Sequence, residues 1–155
     1  ERVKDAEARG AKVRALVRGY GTAFDPPRRE GRLLHASSAA VARAVRAALS
    51  DASIGPEEVD VVCSSVSGLR PFDSAELAGL AEAFGRDVAT AAPKAIWGES
   101  FAGAAALGMA SALAWIEGAA PAPLVRGRAP SRVRTAVVTA VGYYGNVSAV
   151  VVGAG

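Results

Sequence analysis

Polar and apolar side chains alternate along Lys12-Val13-Arg14-Ala15-Leu16-Val17-Arg18-Gly19-Tyr20, the period-two pattern of a strand with one wet face. Ahead of it, Arg2 to Arg9 reads as a helix closed by Gly10, where glycine suits the left-handed position beyond a helix end. That helix has no cap, which raises the expectation that the chain is a piece of a longer one. Gly21 to Arg32 carries Pro26, Pro27 and the basic pair Arg28-Arg29, and is expected to be a loop. Ser37 or Ser38 can then cap a helix whose apolar positions Val41, Val45, Ala48 and Leu49 recur at helical spacing. Gly55-Pro56-Glu57-Glu58 predicts a turn, and Val59, Val61, Val62 and Cys63 a short strand. Pro71-Phe72-Asp73-Ser74 leads into a helix through Phe84 that Gly85 ends, followed by an apolar helix from about Ser100 to Glu117. Pro121 to Ser131 reads as a loop. Thr135–Ala140 and Val147–Val152 read as strands joined by the hairpin-like turn Gly142-Tyr143-Tyr144-Gly145. Strands alternating with helices, then a closing antiparallel pair, predict one α/β domain with a mixed sheet of about four or five strands.

The helix over 100–117 adds a constraint. A helix lying on the outside of a sheet shows an apolar stripe and a charged face. This one is apolar or small on every side, so it should be enclosed on more than one face. The chain's own sheet can cover one side. The other is expected to meet a further domain or another subunit, with a fold-over of the loop Arg18–Arg32 as the alternative. Phe101 to Ile116 includes Gly103, Gly108 and Ser111 and falls short of the ~20 residues that span a bilayer, so no membrane partner is expected.

At 155 residues the chain has the size of one domain, and 51% apolar with 21% charged residues excludes disorder. Lys and Arg total 18 against 15 Asp and Glu, a net charge of +3 that steers weakly despite a pI near 9.4. The densest basic cluster, Arg126, Arg128, Arg132 and Arg134, has no interleaved aromatics, so no nucleic acid partner is expected. It is read as a solvated loop that could also receive an acidic protein.

The single cysteine, Cys63, excludes an internal disulfide, and its Val-Val-Cys setting reads as core rather than nucleophile. The single histidine, His35, cannot form a histidine zinc site alone and precedes a helix as a capping-region or surface residue. Neither a Walker loop nor a dinucleotide fingerprint is present, so neither metal nor cofactor is expected. Glu57 and Glu58 suit a helix first turn, and Asp73-Ser74-Ala75-Glu76 has capping-box spacing, which gives these acids structural roles. No secretory leader is visible, and the cytoplasm is the expected location. Taken alone, these residues supply no complete catalytic constellation.

Several short motifs occur in a telling order. Ala8-Arg9-Gly10-Ala11 is followed by Val17-Arg18-Gly19-Tyr20-Gly21, Val59-Asp60-Val61-Val62, Asp73-Ser74-Ala75-Glu76, Ala92-Pro93-Lys94 and Gly142-Tyr143-Tyr144-Gly145-Asn146. Over residues 1–155 this succession resembles the C-terminal half of the β-ketoacyl synthases. The resemblance implies a layered α/β thiolase-like half with a mixed sheet and a buried apolar helix, covered by an N-terminal half that holds the family's nucleophilic cysteine. Cys63 does not correspond to that cysteine.

Active condensing members of that family carry His-Gly-Thr where this chain has Ser65-Val66-Ser67, so Ser65 stands at the first histidine position. Glu99 of Gly98-Glu99 stands at the second, while Lys94 and Glu76 are retained. The glycine-rich motif at 142–145 keeps its first part and partly loses the second Gly-Gly step. In the family the two histidines stabilise charge on the thioester oxygen during malonyl decarboxylation. Loss of one such donor costs ~10²–10³ in rate, and a carboxylate at 99 adds charge of the wrong sign.

The lost histidines, Ala92-Pro93-Lys94 and Arg132-Val133-Arg134-Thr135-Ala136 are similar to the chain-length-factor branch. This implies a non-condensing subunit of polyketide or fatty-acid-type biosynthesis, paired with an active ketosynthase and served by an acyl carrier protein, with Ser65, Glu99 and Lys94 at the altered site. The alternatives are a divergent condensing β-ketoacyl synthase that uses other residues, and a thiolase-like half serving as an interaction module.

Overall fold

The computed structural model describes residues 1–27 and 34–155; the pair Arg28-Arg29 lies outside the described residues. After the short helix α1 (Val3–Ala8), strand β1 (Ala15–Phe24) runs on through Gly21, where the sequence alone suggests a loop. Two glycines account for the extension. Helix α2 (Ser38–Asp51) lies directly on β1, and a Cβ at Gly19 or Gly21 would collide with the carbonyl oxygens of Ala48 or Ala44. Ser37 caps α2 by accepting a hydrogen bond from the Ala40 amide at 3.2 Å. The periodic residues Val41, Val45, Ala48 and Leu49 are all buried.

The remaining elements are β2 (Val61–Cys63), α3 (Arg70–Phe84), β3 (Ala89–Ala91), α4 (Lys94–Trp97), α5 (Ala104–Ile116), β4 (Leu124–Arg126), β5 (Thr135–Val141) and β6 (Asn146–Ala154). They complete one six-stranded sheet in the order β1-β6-β5-β2-β3-β4. Strand β2 runs parallel to β3 and β5, and the other pairings are antiparallel. The sheet exceeds the four or five strands expected because β3 and β4 have three residues each. That is too short to show alternation, and β4 sits inside the Pro, Gly and Arg segment. Asp60 ties the starts of β2 and β5 together by accepting from the Arg134 and Thr135 amides at 2.7 and 2.9 Å.

Helices α2 and α3 cover one face of the sheet through Val41, Val45, Leu80 and Phe84 against Val137 and Val151. The other face receives α5, whose Ala112 and Trp115 pack with Cys63, Ala136 and Val138. Gly108 lets α5 sit close, since a Cβ there would lie 3.0 Å from Val138 Cγ1. Only this side of α5 is buried. Ala105, Ala106, Ala110 and Ala114 on the other sides are exposed, and Leu107 is 39% exposed. Of the loop weighed as an alternative cover, residues 18–24 belong to β1, and residues 28–32 lie outside the described residues. Among the described residues no helix is long and apolar enough to cross a membrane.

The acids of α3 do not form a capping box. The helix begins at Arg70 with Pro71 in its first turn, so Asp73 already lies inside it. The Asp73 carboxylate reaches back to the preceding loop and accepts from the Ser67 and Gly68 amides at 3.0 and 2.9 Å. Glu76 turns into the interior.

Candidate functional site

Ligand sites in open α/β sheets lie beyond the carboxyl ends of the parallel strands. Here that position is a cavity of about 380 Å³. Ser65 follows β2, Lys94 opens α4, and Glu99 and Phe101 lie in the loop entering α5. Glu76 and Phe72 come from α3, and Tyr143 from the β5–β6 turn. The structure thus brings Ser65, Lys94 and Glu99 together.

Lys94 is their hub, with a side chain only 8% exposed. Its ammonium donates to Glu99 Oε2 at 2.7 Å and to Ser65 Oγ at 3.1 Å. The Glu99 carboxylate also accepts from the Tyr143 hydroxyl at 3.4 Å, and its other oxygen accepts from the Phe101 amide at 2.8 Å. Burial pushes the Glu99 carboxyl up, but the Lys94 and Phe101 hydrogen bonds and the Lys94 charge outweigh it and hold the group below its usual range. Burial, then the neighbouring Glu99 carboxylate, raises the Tyr143 phenol. Glu99 therefore presents no free negative charge to the cavity: it neutralises Lys94.

Beneath this pair lies Glu76, which is 1% exposed. It accepts from the Ser65 amide at 2.8 Å and from the Thr139 hydroxyl at 2.5 Å, fixing the backbone at Ser65. Burial pushes its carboxyl up to about 7, against the opposing pull of those two hydrogen bonds and the Lys94 charge. Cys63 is also buried, with Sγ donating to the Gly108 carbonyl at 3.5 Å. Burial, with the Glu76 charge behind it, raises the thiol to about 12 and suppresses the thiolate a nucleophile requires. The position of Cys63 in the core agrees with the sequence reading.

His35 stands apart from the cavity. Its amide donates to the Tyr143 carbonyl at 2.8 Å, and its Nε2 lies 4.0 Å from the Asp25 carboxylate. Among the basic cluster, Arg126 donates to the Leu77 carbonyl at 2.9 Å and so serves packing. Sequence reasoning left Thr139 and Phe101 unassigned; it gave Glu76 a capping role and marked it as an acid retained from the family pattern, without placing it under the site. Glu76 did carry a signal: it shares a helix stripe with Phe72, Leu80 and Phe84, all of them buried. Thr139 is indistinguishable from the other residues of its β-branched run.

The family model of the β-ketoacyl synthase C-terminal domain matches residues 14–126, and the chain belongs to that family. It is similar to the ketoacyl synthase beta subunit of the tetracenomycin polyketide synthase of Streptomyces glaucescens, with 37% identity over 98% of this chain and 40% of the relative. Among solved structures, the ishigamide ketosynthase/chain length factor superposes with a TM-score of 0.85 at 27% identity, over 99% of this chain and 41% of that one. A type II polyketide synthase acyl-carrier protein in complex with its ketosynthase bound to the hexaketide gives a TM-score of 0.85 at 22% identity, over 100% of this chain and 42% of that one, and shows the shared fold. The chain therefore spans about two fifths of the length of these proteins.

Proposed function

We propose that residues 1–155 are the C-terminal half of a non-condensing, chain-length-factor-type subunit of polyketide biosynthesis. It would act in the cytoplasm beside an active ketosynthase and an acyl carrier protein. The nucleophile position would lie in an N-terminal half outside this chain, and that half would cover the bare side of α5. Likeness to a ketoacyl synthase beta subunit and to a ketosynthase/chain length factor structure supports this reading.

The observation that carries it is the closure of Lys94 on Glu99 at 2.7 Å and on Ser65 at 3.1 Å. Condensation needs donors aimed at charge that develops on a thioester oxygen. Glu99 offers no donor, and the only cation of the cluster is neutralised by it. Ser65 retains one neutral hydroxyl. With each lost donor worth ~10²–10³, decarboxylation should fall by ~10⁴ or more. Full-length protein incubated alone with malonyl-loaded carrier protein should release carbon dioxide at the buffer rate, while addition of its ketosynthase should raise release. Release by the full-length protein alone, above that of a heat-inactivated sample, contradicts the reading.

One contact favours a second reading, a divergent condensing enzyme. Lys94 Nζ lies next to Ser65 Oγ, and serine–lysine pairs serve as nucleophile and base on other folds. A base must accept from the serine hydroxyl, whereas here Lys94 Nζ donates to Ser65 Oγ at 3.1 Å and is held by the Glu99 carboxylate at 2.7 Å. The same assay separates the two.

A further inference from the structure

Phe101 has a left-handed backbone, with φ at +47°. For a bulky L-residue this conformation is an outlier that persists only where the surroundings hold it. The holder is visible: Glu99 Oε1 accepts the Phe101 amide hydrogen at 2.8 Å, and Glu99 Oε2 is itself anchored on Lys94. The same ion pair that neutralises the cavity thus fixes one aromatic ring at its mouth.

Phe101 is 73% exposed. Its ring lies 6.3 Å from the Tyr143 ring, tilted by 48°, and Tyr143 in turn meets Phe72 edge-on at 5.3 Å. Phe72 is 8% exposed, so the three rings form a row from the protein interior to the mouth. Aromatic faces favour flat π-systems over saturated chains. The charges point the same way. Lys94, the one cation among the described lining residues, is paired with Glu99 at 2.7 Å, so no uncompensated positive charge is left to hold an anionic chain.

We propose that Phe101 is a specificity-determining residue of this cavity, selecting a flat, unsaturated, uncharged acyl chain over a saturated or anionic one, with Glu99 as its positioning residue. This names the substrate class of the site and rests on the reading of the chain as a polyketide ketosynthase-like subunit.

The test uses full-length protein and three N-acetylcysteamine thioesters of matched chain length, titrated calorimetrically: sorbyl, hexanoyl and adipoyl. The wild type should bind the sorbyl thioester about fivefold more tightly than the hexanoyl one, the range of a single aromatic contact, and the adipoyl thioester most weakly. Phe101→Leu should remove the sorbyl preference while leaving hexanoyl affinity and melting temperature in place; Phe101→Tyr should keep it. Glu99→Ala, which releases the ring, should reduce the preference with Phe101 still present. A sorbyl preference that survives in Phe101→Leu, or equal binding of all three thioesters by the wild type, overturns the proposal. Condensing activity is not read here. Carbon dioxide release from malonyl carrier protein together with a Phe101-dependent preference would overturn the functional reading alone.

Discussion

Lys94→Met should lower the stability of the protein by about 3 kcal/mol, because it leaves the Glu99 carboxylate half-enclosed and without its cation. For a chain of this size that corresponds to a melting temperature lower by ~6–12 °C. Glu99→Gln should be similarly damaging, since it strands an ammonium whose side chain is 8% exposed. The double variant should recover to within ~1 kcal/mol of the wild type, because removing both charges removes the unpaired ion, and glutamine keeps a carbonyl oxygen for the Phe101 amide. With those losses the coupling read from this cycle should be about 5 kcal/mol. Strictly additive losses would show that the two residues do not act as a pair.

The second large effect is a pH dependence with one dominant source. Burial holds the Glu76 carboxyl at about 7, above the 4.5 of an unperturbed glutamate. Between those values the folded protein keeps a proton that the unfolded chain has released. The stabilisation from this group is therefore complete below about 4.5, declines as pH rises toward 7, and is level above it. A difference of that size is worth on the order of 3 kcal/mol across the window. Glu99, held low, has the opposite sign: its contribution is present above the ordinary carboxylate range and is lost as pH falls below it. Melting temperatures measured from pH 5 to pH 8 should fall with rising pH, and Glu76→Gln should flatten the curve. An unchanged slope in that variant would assign the dependence to other groups.

Much of the fold was legible in the sequence because its longer elements carry redundant signals. Helix α2 has both a serine cap and a buried apolar stripe, and β5 and β6 are β-branched runs around a glycine-bounded turn. Strands β3 and β4 were missed because three residues carry no period and their placement depends on the neighbouring strands. The end of β1 was missed because Gly21 read as the start of a loop, whereas here Gly19 and Gly21 allow helix and strand backbones to touch.

The site was legible as positions rather than as interactions. Family likeness singled out Ser65, Lys94 and Glu99, and the carboxylate looked like an unpaired negative charge. Lys94 and Glu99 are five apart, a spacing that does not face across a helix. They meet because α4 stops at Trp97 and Gly98, with φ at +81°, turns the chain back. No residue pattern announces that reversal or the left-handed Phe101 that follows it.

Intact-mass measurement of the full-length protein and its ketosynthase, incubated together with acyl-loaded carrier protein, tests the central claim most directly. The cluster of Ser65, Lys94 and Glu99 contains no activated nucleophile, and the Cys63 thiol is buried with its pKa raised to about 12. The acyl mass should therefore appear on the ketosynthase alone, with this protein at its unmodified mass. An acyl adduct mapped to Ser65 or Cys63 would contradict the proposal that this site is non-condensing.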